Sequence, residues 1–268
     1  MRFALTREVS DSLADCEVTF VQRGAIDVDR AVLQHLGYTQ RLQSHGYTVL
    51  RLPACHDLPD AVFVEDPVIV LDEVAVALRA GAPSRRAEVL SIVPVLEAFR
   101  EVRRIVDPAT VDGGDVLRIG RTLFVGLSTR SNREGIRQLG EAVSPFGYRV
   151  VPVPMRDCLH LKSGCTYLGR EVILDPARIE RASFADYPVL HVHESEPDAA
   201  DVLLLGDVIV MADSFPRTAE RVRSLGHAVE ILGVSEFQKA EAGVTCLSVL
   251  FEAPTLPARL ESLVVRSA

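Results

Sequence analysis

The feature that most constrains this chain is a recurring unit of strand, tight turn, strand, helix and strand. "AVFVEDPVIVLDEVAVALR" reads as two strands around an Asp-Glu turn, followed by the helical "RRAEVLSIVPVLEAFR" with Pro94 inside it. "VDGGDVLRIGRTLFVGL" is again strand, Gly-Arg turn, strand, then the helix "SNREGIRQLGEAVSPFG" and the strand "YRVVPVPM". "SGCTYLGREVILD" and "DAADVLLLGDVIVMAD" repeat the theme. The second of these leads into the helix "FPRTAERVRSLG", with Pro216 in its first turn and Gly226 at its end, and the strand "HAVEIL". The unit starts fall near residues 60, 112, 160, 200 and 243. A period of about 40 to 50 residues is the mark of radial or solenoid repetition. The last unit is cut short after "GVTCLSVLFEAP", and the N-terminus holds what it lacks: a helix over 27–45 and the strand "YTVLRLP". Both chain ends are therefore expected to share one blade, closing residues 1–268 into a single α/β domain.

Composition narrows the function. A hydrophobic fraction of 48% with 25% charged residues is ordinary for a globular chain, and no apolar run approaches a bilayer's thickness. The start, "MRFALTREVSDSLADCEV", lacks the apolar stretch of a signal peptide, so a cytoplasmic location is expected. Five cysteines (Cys16, Cys55, Cys158, Cys165, Cys246), odd in number and without a C-x-x-C pair, argue against a disulfide framework or a structural zinc site. A net charge of −8 argues against a nucleic-acid partner and is compatible with a cationic small molecule. Neither a G-x-G-x-x-G loop nor a Walker A sequence is present.

Chemistry-bearing residues gather at the unit starts. "PDAVFVED" sets Asp60, Glu65 and Asp66 on or beside the first strand of unit one, "VDGGDVL" opens unit two with Asp112, "LHLKSGC" opens unit three with His160, and "GVTCLSVL" puts Cys246 at the mouth of a strand in unit five. In a ring of repeats, equivalent positions face one axis, so these groups would converge. Cys, His and Asp are the nucleophile, proton shuttle and orienting acid of an activated thiol. Each also has a plainer reading. Free cysteine is commonly core, a single strand histidine is commonly structural, the "VED" acids could be solvated, and "DGGD" could be a tight turn. "HVH" places His191 and His193 on one strand face, a metal-type spacing with no third ligand nearby.

Taken as a set and in order, "PDAVFVEDP", "GAPSRR", "DGGDVL", "FVGLSTRSN", "LHLKSG" and "GVTCLSVL" resemble the dimethylarginine dimethylaminohydrolase family of the pentein, or guanidine-modifying, superfamily. The resemblance implies a five-bladed α/β propeller, in agreement with the repeat count, and hydrolysis of N-omega-methylated arginine to citrulline and a methylamine without metal or organic cofactor. It implies Cys246 as nucleophile, His160 as general acid and base, and Asp112 as its orienting acid. Asp60 and Asp66 would hold the guanidinium beside Glu65 and Phe63, and Arg85 and Arg130 the α-carboxylate. Glu241, next to Ala240, stands where the family carries aspartate. The N-terminal lid in "DCEVTFVQRG" aligns poorly, with Val18 its best match for a substrate contact. A small-molecule substrate is the partner so implied, without nucleic acid or membrane, and a homodimer is compatible with it.

The chemistry is coherent. Paired carboxylates can fix a delocalised guanidinium over sulfur, and a bound cation beside the thiol favours the thiolate. Two rivals stay open: an arginine deiminase-like enzyme acting on unmethylated arginine, and a non-catalytic binding protein on the same fold. Against the first stand "HLK" at 160–162 and the lack of room for an inserted helical domain. Against the second stands the complete Cys246, His160 and Asp112 set.

Overall fold

The structure is a computed structural model that describes residues 1–265. The last three residues of the 1–268 domain expectation lie outside the described residues. In chain order the main elements are β1 (Arg2–Arg7), α1 (Val28–Ser44), β2 (Tyr47–Leu52), β3 (Val68–Val70), β4 (Val74–Ala77), α2 (Val89–Leu96) and β5 (Glu101–Arg104). Then come β6 (Val116–Ile119), β7 (Thr122–Leu127), α3 (Arg133–Val143), β8 (Arg149–Pro154), α4 (Leu161–Gly164), β9 (Cys165–Tyr167), β10 (Val172–Leu174) and β11 (Val189–His191). The chain ends with β12 (Leu203–Leu205), β13 (Val208–Ala212), α5 (Pro216–Ser224), β14 (Ala228–Leu232), α6 (Ser235–Gln238) and β15 (Val249–Glu252).

These strands make five three-stranded sheets: β3-β4-β5, β6-β7-β8, β9-β10-β11, β12-β13-β14 and β15-β1-β2. In each, the first pair is antiparallel and the second parallel. A parallel pair needs a crossover, and a helix supplies it in four blades. In the third blade only a 3-10 turn, Arg181–Phe184, fills that place, so the ββαβ unit is not uniform. The last sheet joins the C-terminal β15 to the N-terminal β1 and β2, closing the five-bladed propeller through both chain ends.

The middle strand of each blade explains the apolar runs. Side chains alternate across a strand, and here the two faces pack into two different seams. On β13, Ile209 and Met211 join Ile173 of the third blade, while Val210 and Ala212 join Ala4 and Val49 of the closing blade. On β4, Val74 and Val76 meet Val125 of the second blade, and Ala75 meets Phe3 and Leu5. On β7, Leu123 and Val125 face the first blade and Phe124 the third. Burial on both faces turns these strands into continuous hydrophobic stretches. Two helices begin at side-chain caps: Asp27 accepts from Arg30 N at 3.0 Å before α1, and Asn132 from Gly135 N at 2.7 Å before α3.

Two strand expectations are corrected. Residues 60–66 are not strand but consecutive tight turns, with Phe63 N donating to Asp60 O at 3.0 Å and Val64 N to Val62 O at 3.0 Å. Asp60, Phe63, Glu65 and Asp66 thus leave a wound segment before β3. Ala61 to Val64 are all buried, and a buried turn writes the same apolar run as a buried strand. Likewise Cys246 lies in the turns that precede β15, which begins only at Val249. No helix among the described residues is long and apolar enough to cross a membrane.

Candidate active site

The loops that precede the first strand of each blade carry the site. Asp112 begins the turn before β6. Its Oδ2 lies 3.1 Å from His160 Nε2, and its Oδ1 accepts from Gly81 N at 2.9 Å. Asp112 is fully buried and His160 nearly so. The two glycines that follow Asp112 have a steric cause. A Cβ on Gly113 would stand 2.0 Å from Glu65 O, and one on Gly114 would stand 2.5 Å from His160 Nδ1 and 2.8 Å from Asp66 Oδ1. Gly114 N instead donates to Asp66 Oδ1 at 3.0 Å. Asp115, the second acid of "DGGD", accepts from the hydroxyls of Ser128 at 2.5 Å and Ser131 at 2.6 Å and from Leu161 N at 2.9 Å, which pins the backbone just after His160. Burial lifts the Asp115 carboxyl to about 6 against the pull of His160.

The electrostatics of His160 are a contest. Burial disfavours its charge, but Asp66, whose Oδ1 is 3.8 Å from Nδ1, and the Asp112 hydrogen bond prevail and raise it to about 9. Asp66 answers in kind: burial opposes its charge, while His160 and Arg85 hold it down at about 2. The thiol of Cys246 moves the other way. Burial pushes it well above an ordinary cysteine, and Asp201 in its ionised form, Glu65 and Asp66 add to the rise. Without ligand at neutral pH the site therefore holds an imidazolium and a thiol.

Cys246 is tied into the first blade's loop, since its carbonyl accepts from Glu65 N at 3.4 Å. Glu65 pairs with Lys162 through one oxygen and accepts from Thr245 Oγ1 at 3.0 Å through the other. Lys162 and Thr245 were not singled out from the sequence, and neither was Asp201, which accepts from Thr245 N at 3.1 Å. Asp201 was legible in principle, because "DAAD" opens the fourth unit as "DGGD" opens the second.

The groups expected to hold substrate divide. Asp60 and Asp66 are both buried beside Arg85. Asp66 Oδ2 takes Arg85 Nη1 at 2.7 Å, and Asp60 Oδ2 accepts only from Glu17 N at 3.1 Å. Arg85 is saturated by carboxylates: Glu88 takes Nε and Nη2, both at 2.8 Å, in addition to Asp66. Glu88, three residues on, is the partner sequence reading missed. Arg130 differs. Its side chain is 8% exposed, Nη2 reaches Glu17 Oε2 at 3.4 Å and Thr19 Oγ1 at 3.3 Å, and Nη1 is buried without a hydrogen-bond partner.

The expected lid segment "DCEVTFVQRG", residues 15–24, is where Glu241 acts. This residue has a left-handed φ of 57°, and its carboxylate takes the backbone N–H groups of Thr19, Phe20 and Val21, the last at 2.9 Å. Its side chain is thus spent on the lid. Val18 packs, half-buried, on the cluster that also holds Ala240 and Phe63, and Phe63 meets Phe237 edge to face with centroids 6.4 Å apart. A cleft of about 490 Å³ lined by Phe20, Cys158, Asp201, Phe215, Glu241 and Gly243 adjoins the site, and Cys246 and His160 are not among its lining residues.

Asp66, Asp112 and His160 could in principle ligate a metal, since each offers a ligand atom within 4.8 Å of the others. The same atoms are already engaged by Arg85, Gly114, Gly81 and one another. Among the described residues no such group includes the exposed His191 or the half-buried His193, whose Nδ1 contacts Ser195 Oγ at 3.0 Å.

Known proteins share this arrangement of blades. The arginine deiminase family pattern matches residues 53–185. An N(G),N(G)-dimethylarginine dimethylaminohydrolase of Streptomyces coelicolor is 41% identical over 251 residues, covering 92% of this chain and 95% of that one. The enzyme of the same name from Pseudomonas aeruginosa is 33% identical over 250 residues, covering 92% and 98%. A solved structure of the Pseudomonas aeruginosa protein, a cysteine-to-serine variant complexed with citrulline, superposes with a TM-score of 0.88 at 32% identity, covering 93% of this chain and 98% of that one. A crystal structure of a dimethylarginine dimethylaminohydrolase, a histidine-to-glycine variant in an adduct with S-methyl-L-thiocitrulline, gives a TM-score of 0.89 at 32% identity, covering 93% of this chain and 99% of that one.

Proposed function

The chain belongs to the dimethylarginine dimethylaminohydrolase family, and on that premise we propose that it hydrolyses N-omega-methylated L-arginine to L-citrulline and methylamine or dimethylamine as one propeller domain. One observation carries the reading: two buried groups of opposite sign, the Asp60 carboxylate and Arg130 Nη1, make no hydrogen bond to a charged partner and meet at the same lid residue. Asp60 has no ion pair among the described residues, only Glu17 N, while Arg130 shares the Glu17 carboxylate through Nη2 and has at Nη1 only the distant Asp112 Oδ2, 3.9 Å away. Buried charge without hydrogen-bonded partners is costly. A ligand with a guanidinium at one end and a carboxylate at the other satisfies both.

The sequence of events follows from the charges. The guanidinium docks on Asp60 and Asp66, and the α-carboxylate on Arg130, with Arg85 holding Asp66 in place. The incoming cation offsets the carboxylates that raise the Cys246 thiol, so with substrate bound the thiol releases its proton to solvent and the thiolate forms. Sulfur attacks the guanidinium carbon. His160, protonated at neutral pH, gives its proton to the departing amine through Nδ1, the nitrogen that faces Asp66, while Asp112 holds Nε2. A covalent thiouronium remains on Cys246. The now neutral His160 takes a proton from water, which attacks the same carbon, and citrulline leaves as the sulfur is released.

The test is kcat/KM for asymmetric dimethylarginine, monomethylarginine and arginine on one preparation, with citrulline and amine quantified together. Equal amounts of citrulline and dimethylamine, with arginine a poor substrate, are expected. Arginine turned over as well as the methylated forms would make the protein a deiminase instead, and no citrulline from any of them would leave only binding.

A further inference from the structure

The hydroxyl of Thr245, the residue before Cys246, stands 3.0 Å from Glu65 Oε2 and 3.1 Å from Asp201 Oδ2. A hydroxyl has one hydrogen and can donate it to one of these oxygens. If both neighbours were carboxylates, the second contact would set lone pair against lone pair in a buried site, which polar interiors avoid. One of the two acids must bring a proton of its own. Glu65 is matched by the Lys162 ammonium. Asp201 is buried, makes no ion pair among the described residues, and bonds only to the Thr245 N–H and hydroxyl.

We infer that Asp201 is a neutral carboxylic acid in the resting site, donating its proton to Thr245 Oγ1 so that the Thr245 hydrogen goes to Glu65. It is a positioning residue, and the inference rests on the reading of Cys246 as the nucleophile. The chain Lys162–Glu65–Thr245–Asp201 then fixes the backbone of the nucleophile segment from two blades. Gly243 belongs to the same clasp, because a Cβ there would fall 2.3 Å from the Asp201 carboxyl carbon. A neutral Asp201 also keeps one negative charge away from Cys246. Burial first, then Glu65, raises this carboxyl to about 7. As pH rises past that range, Asp201 becomes an unmatched anion beside the thiol and resists thiolate formation.

The charged groups around it are accounted for. Glu65 and Asp66 face the pair from the loop before β3, Lys162 from α4, and Cys246 from its own segment. The adjoining cleft brings Asp157, Arg178, Asp198 and Glu241. Arg178 is bound to Asp198 and Asp175, and Glu241 to the lid. None supplies Asp201 with a counter-ion.

Two measurements on the full chain test this. The first is the infrared spectrum of the native protein against D201N, in which an amide N–H can donate to Thr245 Oγ1 at every pH. In the native-minus-D201N difference spectrum, which cancels other raised carboxyls such as Asp115, the carbonyl stretch of a protonated carboxylic acid is expected at pH 6 and lost by pH 9. The second is the rate of Cys246 alkylation by iodoacetamide, followed on the Cys246 peptide from pH 5 to 10. Above neutrality D201N is expected to react about tenfold faster than the native protein, the equivalent of one pKa unit, and Thr245→Ser to follow the native profile. A difference spectrum without the acid stretch, or superimposable alkylation profiles, overturns the inference. Neither readout needs turnover, so the expected spectra and profiles without citrulline production would uphold Asp201 while sinking the proposed reaction.

Discussion

His160 Nε2 and Asp112 Oδ2 lie 3.1 Å apart in full burial, with Asp66 on the opposite edge of the ring. A histidine raised from 6.5 to about 9 by folding contributes stability that is complete below the unfolded value and is lost as pH rises through the folded one. Asp112→Asn should therefore lower the His160 titration midpoint seen by NMR and cut kcat, by about 10²-fold or more if proton transfer is the function lost. An unmoved midpoint would assign the raised pKa to Asp66 and Asp115.

Cys246→Ser should abolish turnover with an unchanged melting temperature, since serine replaces a buried thiol almost isosterically. In the native protein at pH 7, alkylation of Cys246 should be slow without ligand and accelerate with a guanidinium ligand that leaves the sulfur accessible. Alkylation that is already fast without ligand would mean that His160, not the substrate cation, forms the thiolate.

Gly114→Ala puts a methyl 2.5 Å from His160 Nδ1 and 2.8 Å from Asp66 Oδ1, both in buried and hydrogen-bonded positions. The ring must move, so kcat should fall by more than tenfold even in a variant that still folds cooperatively; a displacement of about 1 Å can cost about 10²-fold in rate. Far-ultraviolet circular dichroism beside the kinetics separates misplacement from unfolding. Native kcat in this variant would contradict the tight seating of His160.

Arg130→Ala should raise KM for methylated arginine far more than it lowers kcat, by roughly 10- to 100-fold, the range of a lost hydrogen bond to a charged group. Glu17→Gln should act in the opposite sense and lower KM several-fold, because the Glu17 carboxylate occupies the guanidinium that the substrate needs. A methylguanidine without a carboxylate should be indifferent to both changes. Sensitivity of that compound to Arg130→Ala would place the residue at the guanidinium end.

Glu241→Ala removes the acceptor for three consecutive lid N–H groups. Tryptic cleavage after Arg23 should quicken, with KM raised and the melting temperature little changed, as the propeller seams are untouched. Unaltered cleavage would show that Arg130 and Asp60 hold the lid without it.

The sequence by itself determined the ring. The middle strand of each blade is buried on both faces, so apolar runs such as "VIVMA" and "LFVGL" are visible locally, and their spacing counts the blades. It also determined that both chain ends share the blade where Arg2 pairs with Glu252, and that Cys, His and Asp stand at equivalent unit starts. Tertiary structure alone decided how those starts are wound and what each side chain meets. Residues 60–66 write an apolar run in the sequence and form turns in space, because burial, not strand geometry, sets their composition. Thr245 joins Asp201 across 44 residues and Glu65 across 180, and Glu241 holds the lid across more than 200. Periodicity records the face on which a residue lies. It carries no information about which distant carboxylate will share a single hydroxyl proton, since that depends on how neighbouring blades bring their loops to the same axis.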